Sequence, residues 1–301
     1  MLPKISIVTP SYNQGPFLEE CLRSIDSQDY PNLEHFVIDG ASSDDSANII
    51  RMHAPNLTWW TSEPDCGQTD ALRKGFQRAT GDLLNWINSD DALCPGALQI
   101  VGNLFEKHPG SVIAGNVLLY DEETGASRVL VQRNLTMSDM ISIWTNRSFY
   151  SQPGVFFPRS MYEEVGGLDI TLHYCMDHDL MVRLLKSCPV VYTEAVLAKA
   201  RQHPRSKTCS QLGAMIVEGT RVSRRYWCDL PADERGTASM RMYSHLIRLM
   251  VGRLYHRAPR EAGVIAQEIL RRLRAPKKSG SELLTSGSDA HRAGERERRR
   301  A

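Results

Sequence analysis

Two adjacent carboxylates, Asp90 and Asp91, follow an apolar segment, residues 83–87, that is typical of a buried strand. A helix is expected to begin shortly after them, near Pro95 and Gly96. Ligands of open α/β sheets bind beyond the carboxyl ends of the strands, and carboxylate oxygens suit hard cations such as Mg²⁺. The pair therefore indicates a metal site, although aspartate is also common in turns and helix N-caps.

Three other predicted strands also end in polar or acidic residues: Thr9-Pro10-Ser11-Tyr12 after the first, Asp39 after the second, and Glu63 with Asp65 after the third. Each has an ordinary structural explanation as a turn cap or a solvated loop. Because the carboxyl ends of parallel strands lie along one edge of a sheet, all four together indicate one site. Its residue types suit hydroxyls, the edge of a nucleobase or a cation.

Another acidic segment, residues 177–179, begins an amphipathic helix. Asp177 and Asp179 stand near its N-terminus, where the helix dipole favours a carboxylate, so simple capping explains both. A metal site made of His173, Cys175, Asp177 and His178 is a weaker alternative, because this spacing fits no familiar ligand pattern. Residues 201–208, of sequence RQHPRSKT, form a cationic and hydroxyl-rich loop that can hold a diphosphate or simply be solvated.

The elements that must position these residues alternate along the chain. Strands are predicted at residues 4–10, 33–40, 57–61, 83–87, 111–120, 128–131, 152–157, 190–196 and 197–200. Helices are predicted at residues 17–28, 47–52, 68–79, 98–105 and 137–143, near 161, after 177 and from 210 onward. This alternation predicts a parallel sheet with right-handed crossovers. Neither a G-x-G-x-x-G after the first strand nor a G-x-x-x-x-G-K-[ST] is present, which disfavours dinucleotide-binding and P-loop proteins.

Charge is unevenly distributed over the 301 residues, whose overall net charge is +1. Residues 241–301 carry 15 Lys/Arg and 6 Asp/Glu, a net charge of +9, and the preceding residues carry −8. Such a basic end suggests anionic lipid or nucleic acid. Within it, residues 240–254 form a basic amphipathic segment that suits core packing, a second chain or an anionic membrane surface. The polar residues 277–301 are expected to be disordered.

The cysteines and the hydropathy indicate a cytoplasmic setting. Seven cysteines without a Cys-x-x-Cys spacing disfavour a disulfide framework and a zinc ribbon. The N-terminus lacks the pattern of a signal peptide, and no stretch approaches the roughly 20 apolar residues that span a bilayer.

Five segments, in this order, resemble motifs of the inverting glycosyltransferases of family 2, which have the GT-A fold. They are residues 5–13 (ISIVTPSYN), 37–44 (VIDGASSD), 88–91 (NSDD), 176–180 (MDHDL) and 201–208 (RQHPRSKT). The resemblance implies an α/β domain at residues 1–209 with a Rossmann-like mixed sheet flanked by helices. A helical C-terminal extension at 210–276 and the tail at 277–301 complete the predicted organisation.

The resemblance also implies a nucleotide-sugar site whose residues come from the first third of the chain and from the end of this domain. They are Thr9, Pro10, Tyr12, Asp39, Gly67, Gln68, Asp90, His203 and Lys207. Asp39 would contact the base, His203 and Lys207 would approach the diphosphate, and Asp91 with Asp90 would ligate Mg²⁺ or Mn²⁺. Uridine is the usual nucleoside of such donors, with thymidine and guanosine as alternatives.

The predicted general base is Asp177, with Asp179 as the alternative. The sequence departs from the family pattern at three positions. Ser89 replaces the first acid of a D-x-D motif, Arg73 stands where many relatives carry asparagine, and Met176 replaces a glutamate that often precedes the base. These departures leave the metal ligands and the choice of base open.

The expected function is metal-assisted, inverting hexosyl transfer from a nucleoside diphosphate sugar to a saccharide or lipid-linked acceptor, as in bacterial cell-envelope polysaccharide biosynthesis. Nucleic acid is not an expected partner. Peripheral contact with the inner face of the plasma membrane would use the basic C-terminal helices. One alternative is a nucleotidyltransferase, although residues 11–15 lack the basic residue usual in its first loop. The other is a non-catalytic nucleotide- or carbohydrate-binding protein.

Overall fold

The computed structural model describes residues 2–133, 135–141 and 150–236. The predicted amphipathic segment at 240–254, the tail at 277–301, most of the predicted extension at 210–276 and the end of the helix predicted at 137–143 lie outside these residues. All seven cysteines lie within the described residues, and each is a free thiol.

In the described ranges, nine strands form one mixed sheet: β1 (Ile5–Ser11), β2 (Leu33–Asp39), β3 (Trp59–Ser62), β4 (Leu83–Trp86), β5 (Ala92–Leu93), β6 (Val112–Asp121), β7 (Ser127–Leu130), β8 (Val155–Pro158) and β9 (Val190–Gln202). Their order is β3-β2-β1-β4-β8-β6-β9-β5, with β7 paired to β6. The first four strands are parallel, as predicted, because a helix crosses over between each pair. β8 runs antiparallel to both β4 and β6, which makes the sheet mixed.

Nine α-helices are described: α1 (Gly15–Asp26), α2 (Ser46–His53), α3 (Gln68–Phe76), α4 (Ala97–Lys107), α5 (Met137–Ile141), α6 (Arg159–Glu164), α7 (Met176–Ser187), α8 (Lys207–Ser210) and α9 (Leu212–Arg225). Apolar residues at helical spacing bury one face of the longer helices, as Leu18, Leu22 and Ile25 do in α1. Close packing of α3 on β1 requires a glycine, since a Cβ on Gly75 would lie 2.5 Å from Val8 Cγ1.

The two strands predicted at 190–196 and 197–200 are one bent strand, β9. Its register against β6 slips after Gly115, which faces Thr193, whereas Asn116 faces Val196. A Cβ on Gly115 would lie 2.4 Å from Leu197 Cγ, and Asn116 Nδ2 donates to the carbonyl of Glu194 at 2.8 Å. This bulge re-aims the second half of β9. Arg201 and Gln202 therefore belong to the strand and not to the predicted polar loop.

The first helix of the predicted C-terminal extension packs on the body of the protein. Val222 of α9 and Leu230 are buried in the same apolar core as Leu180 and Leu184 of α7. No helix in the described ranges has the length and apolar character needed to cross a bilayer.

Candidate functional site

A cavity of ≈ 1040 Å³ opens at the carboxyl ends of β1, β2, β3 and β4. Its other walls are formed by the start of α7, the end of β9, the loop before α8, strands β6 and β7, and residues 150–153. Eight residues predicted from the sequence line it: Pro10, Tyr12, Gly67, Gln68, Asp90, Asp91, Asp177 and Lys207. The structure thus brings residues more than 160 positions apart into one space.

Four predicted residues do not line this cavity: Thr9, Asp39, Asp179 and His203. Thr9 is fully buried, and its Oγ1 lies 3.0 Å from His35 Nε2. Asp39 is also fully buried, and both of its carboxylate oxygens already accept hydrogen bonds. Ser42 Oγ donates at 2.5 Å, the Ser42 N–H at 3.0 Å, and Ser62 Oγ at 2.6 Å. Asp39 therefore joins the loop after β2 to the last residue of β3.

The residue after Asp39 reaches the cavity wall. A Cβ on Gly40 would lie 2.8 Å from Asp65 Oδ2 and 3.3 Å from Tyr12 Cδ2, so a larger residue there would displace the Asp65 carboxylate. The Tyr12 side chain is 64% exposed, which leaves its ring free to stack on a planar group. Asp65 Oδ1 accepts the Gly67 N–H at 2.7 Å, which orients the other carboxylate oxygen toward Gly40. A planar ring with polar edges suits this end of the cavity.

Asp90 and Asp91 occupy the turn after β4, as the sequence predicts. Asp91 is only 7% exposed, and it accepts hydrogen bonds from Asn88 Nδ2 and the Arg201 N–H, both at 3.0 Å. Burial, and then the charge of Asp90, raise the pKa of Asp91 to about 8. Asp90 Oδ2 lies 3.1 Å from His203 Nε2. His203 thus contacts this site through Asp90 and not through the cavity.

The aspartate pair fits a divalent cation held together with a ligand. Among the residues whose positions are described, no three His, Cys, Asp or Glu side chains converge as a metal-binding group, and this argues against the alternative site of His173, Cys175, Asp177 and His178. Mg²⁺ is usually held by one or two carboxylates and substrate phosphates, so Asp90 and Asp91 suffice for that mode. A cation would also compensate the buried Asp91 carboxylate, whose raised pKa reflects its unfavourable surroundings.

A chain of hydrogen bonds connects the two walls of the cavity. Lys207 Nζ donates to Gln68 Oε1 at 2.8 Å, Gln68 Nε2 donates to Asn88 Oδ1 at 2.7 Å, and Asn88 in turn donates to Asp91. Lys207 Nζ also donates to the carbonyl of His173 at 3.2 Å. Burial lowers the pKa of Lys207, while neighbouring carboxylates oppose that shift. The predicted diphosphate and metal residues are therefore mechanically linked.

The two candidate bases have different surroundings. Asp179 is 1% exposed, and its oxygens are occupied by Arg183 Nη2 at 2.7 Å and Tyr226 Oη at 2.7 Å. Asp177 is half-buried and lines the cavity. Burial raises the pKa of Asp177 to about 6, and backbone N–H groups at the start of α7 oppose that rise. Of the two, only Asp177 faces the space that a substrate would occupy.

Sequence reasoning missed two residues that support the site, Asn88 and Glu218. Asn88 belongs to a motif segment, but nothing in the sequence indicates that it orients Asp91. Glu218 is 7% exposed although it belongs to an amphipathic helix, where glutamate is expected on the solvent side. A signal existed at helical spacing, since Met215 three positions before it and Val222 four positions after it are apolar.

Comparisons with known proteins give one sequence family and a consistent set of folds. The profile described as Glycosyl transferase family 2 matches residues 6–166. An uncharacterized glycosyltransferase of Mycobacterium tuberculosis (strain H37Rv) is 30% identical over 200 residues, which represent 65% of this chain and 74% of that protein.

Two solved structures illustrate the structural similarity. Residues 1–349 of S. aureus TarS in complex with UDP-GlcNAc match with a TM-score of 0.66 at 15% identity, covering 88% of this chain and 79% of that one. The mannosyltransferase PcManGT from Pyrobaculum calidifontis, in complex with GDP-Man and Mn²⁺, matches with a TM-score of 0.56 at 16% identity, covering 92% and 82%. Against the longer TarS chain, coverage of that chain falls to 43%. At sequence identities of 15% and 16%, these matches show a shared fold and nothing more.

Proposed function

The chain belongs to glycosyl transferase family 2 and is a glycosyltransferase, and from that premise we propose that it transfers a sugar with inversion from a nucleoside diphosphate sugar to an acceptor hydroxyl. The observation that carries this proposal is the shared cavity of Asp91 and Asp177. One carboxylate suits a cation that neutralises a leaving diphosphate, and the other suits a base for the incoming hydroxyl.

The donor would lie along the ends of β1 to β4. The base would stack on Tyr12 above Gly40, and Asp65 would accept from a ring N–H. The diphosphate would lie between Lys207 and the aspartate pair, where a fixed ammonium stabilises negative charge as it develops on the leaving group. TarS in complex with UDP-GlcNAc and PcManGT in complex with GDP-Man support a donor of this class.

Asp90 and Asp91 would hold Mg²⁺ or Mn²⁺, which supplies Lewis-acid stabilisation of the diphosphate. The structure of PcManGT with Mn²⁺ supports this assignment. The chain's own contribution is orientation. Asn88 and the Arg201 N–H each occupy one oxygen of Asp91 and so fix the direction of its remaining lone pairs.

Inversion requires a base on the face of the sugar opposite the leaving group. Asp177 suits that role because it faces the cavity and, within the described part of the chain, has no ion pair of the kind that occupies Asp179. Its raised pKa keeps it a competent proton acceptor near neutral pH. The acceptor would approach past Tyr150, Tyr174 and Met215, which line the cavity beside Asp177. These amphipathic side chains suit a saccharide or the sugar of a lipid-linked acceptor.

Cell-envelope polysaccharide biosynthesis on the cytoplasmic side of the plasma membrane fits such an acceptor. Peripheral membrane contact through residues 240–254 is a prediction on residues that the structure does not describe. Sedimentation with anionic vesicles at low salt tests it, and a protein that stays wholly in the supernatant contradicts it.

The experiment that tests the proposed function combines a donor panel with two readouts. UDP-, dTDP- and GDP-sugars are incubated with short saccharide and lipid-linked acceptors, with and without Mn²⁺, and released nucleoside diphosphate is measured. NMR of the product then reports the anomeric configuration. We expect metal-dependent release and an inverted anomer. Pyrophosphate release would favour a nucleotidyltransferase, and binding without release would favour a non-catalytic protein.

A further inference from the structure

The segment that precedes the candidate base is held by a carboxylate from another helix. Glu218 of α9 accepts three successive backbone N–H groups: His173 at 2.8 Å, Tyr174 at 2.5 Å and Cys175 at 2.8 Å. The Cys175 thiol also donates to the carbonyl of Met215, one turn earlier in α9, at 3.4 Å. The segment thus runs against α9 immediately before α7 begins.

A carboxylate this buried is costly unless its oxygens are satisfied. Glu218 is 7% exposed, and the described residues include no salt bridge to it; backbone N–H groups satisfy it instead. Of the three, the Cys175 N–H stands at the N-cap of α7, where N–H groups lack partners within the helix and the positive end of the helix dipole adds to the attraction. Charge-assisted hydrogen bonds of this kind are about twice as strong as neutral ones. The arrangement therefore fixes both the backbone path and the start of α7.

We propose that Glu218 is a positioning residue for catalysis, whose buried carboxylate sets the placement of Asp177 through residues 173–175 and keeps a negative charge beside it. This proposal rests on the proposed function of Asp177 as the base. It assigns a catalytic task to α9, which lies beyond the residues matched by the family profile.

Four described groups besides Glu218 bear on the charge of Asp177. Lys207, on α8, favours its ionised form, and Glu218 disfavours it. Tyr150 and Cys175 interact with Asp177 electrostatically and are themselves neutral, since burial raises the pKa of both. The backbone N–H of His178 favours the ionised form of Asp177, whereas burial keeps the His178 imidazole neutral by lowering its pKa to about 4. Loss of the Glu218 charge would therefore leave Lys207 as the dominant charged neighbour of Asp177.

The test uses the full chain and three variants. Glu218→Gln removes the charge and places an amide that cannot accept from all three N–H groups. Glu218→Asp keeps the charge on a shorter arm. Glu163→Gln is the matched control, because Glu163 is exposed and pairs with Arg159 on α6. Circular dichroism and thermal melting establish that each variant is folded before comparison.

Hydrogen exchange measures the anchoring without any need for activity. In Glu218→Gln we expect the amides of residues 173–175 to exchange about 10- to 100-fold faster, as the loss of hydrogen bonds to a charged group implies. Glu163→Gln should leave these amides unchanged. Unaltered exchange of these amides in Glu218→Gln would overturn the proposed anchoring whether or not the protein proves to be a transferase.

The kinetic readout separates positioning from simple stabilisation. In Glu218→Gln we expect kcat to fall about tenfold or more while the donor KM changes less, with the acid limb of the kcat profile shifted to lower pH. Glu218→Asp should keep the acid limb near its wild-type position. If the acid limb of the kcat profile lies at the same pH in Glu218→Gln as in the wild type, Glu218 has a structural role only. Asp177→Asn, assayed in parallel, shows separately whether the base is correctly assigned, because full turnover in that variant contradicts the proposed function.

Discussion

Gln68 Nε2 lies 2.7 Å from Asn88 Oδ1, and this hydrogen bond links α3 to the turn that carries the aspartate pair. The other end of the Gln68 amide accepts from Lys207, so one side chain orients a residue on each wall of the cavity. A neutral amide is well suited to this place, because it donates to one neighbour and accepts from the other. The positions of the Lys207 ammonium and the Asp91 carboxylate are thereby fixed relative to each other through Gln68 and Asn88.

Gln68→Leu should weaken donor binding while the fold is kept. The change removes the side-chain acceptor of the Lys207 ammonium, which keeps the carbonyl of His173, and leaves Asn88 free to rotate away from Asp91. Loss of a hydrogen bond to a charged group costs about 1.5–3 kcal/mol, so we expect donor affinity to fall about 10- to 100-fold by isothermal titration calorimetry. Gln77→Leu, at the exposed residue that directly follows α3, is the control. Equal affinity in the Gln68 variant and the wild type would contradict the linkage.

Asp177→Asn should lose turnover and keep the donor. Removing a general base typically lowers the rate by about two to four orders of magnitude, whereas the isosteric amide preserves the shape of the cavity. Single-turnover kinetics and donor titration measure the two effects separately. Asp179→Asn should instead lower stability, because Asp179 is buried against Arg183 and Tyr226. Turnover that survives in Asp177→Asn and vanishes in a folded Asp179→Asn would reverse the assignment.

The acid limb of the kcat/KM profile should lie near pH 6. Asp177 must be ionised to accept a proton, and burial raises its pKa to about 6, so activity should rise with pH through that value. A limb near pH 4, the ordinary range of a carboxyl group, would mean that the base is another group or is more solvated. The profile is measured at subsaturating substrate, where the rate reports the free enzyme, with solvent isotope effects to establish that proton transfer is seen.

Divalent metal affinity should increase with pH up to about 8. Metal binding needs the ionised carboxylate, and the pKa of Asp91 without a metal is raised to about 8. Below that value we expect the affinity for Mn²⁺ in the presence of nucleoside diphosphate to rise about tenfold per pH unit, with release of one proton. Calorimetry in buffers of different ionisation enthalpy counts the proton. Asp91→Asn should remove both the proton release and most of the metal dependence.

Stability should fall as the medium becomes acidic, partly through His178. Burial lowers its pKa from 6.5 to about 4, so the folded state favours neutral imidazole. The stabilisation is present above pH 6.5 and is lost as pH falls from there toward 4, by about 3 kcal/mol at most. Urea titration of the wild type and of His178→Gln at pH 7 and pH 4.5 measures the difference. Parallel losses in the two proteins would exclude His178 as the source.

The GT-A fold and the family were predictable because several strong local patterns agreed. The first four strands are apolar runs, the helices between them show helical spacing, and polar residues end each strand. The prediction at β9 failed for a physical reason. Its bulge depends on Gly115 packing against Leu197, a contact between residues 82 positions apart that leaves no periodic trace in either segment.

The candidate site was partly predictable for the same reason. Motif residues such as Asp91 and Asp177 carry recognisable local sequence, and their roles stay predictions. The contacts that support these residues leave no recognisable local sequence, because they join distant segments. Asp39 is engaged by Ser42 and Ser62, and Glu218 holds residues 173–175. A single sequence shows which groups can ionise, but it does not show which of them a neighbouring loop has already satisfied.

The bend in β9 also has a consequence for engineering. This strand begins inside the sheet, and near its end the Arg201 N–H donates a hydrogen bond to Asp91. The chain then continues into the loop that leads to Lys207. Chimeras that exchange acceptor specificity with a relative should therefore be joined outside residues 190–207. A junction within them that shifts the strand by one residue would invert every later side chain, and with it the polarity of the cavity floor.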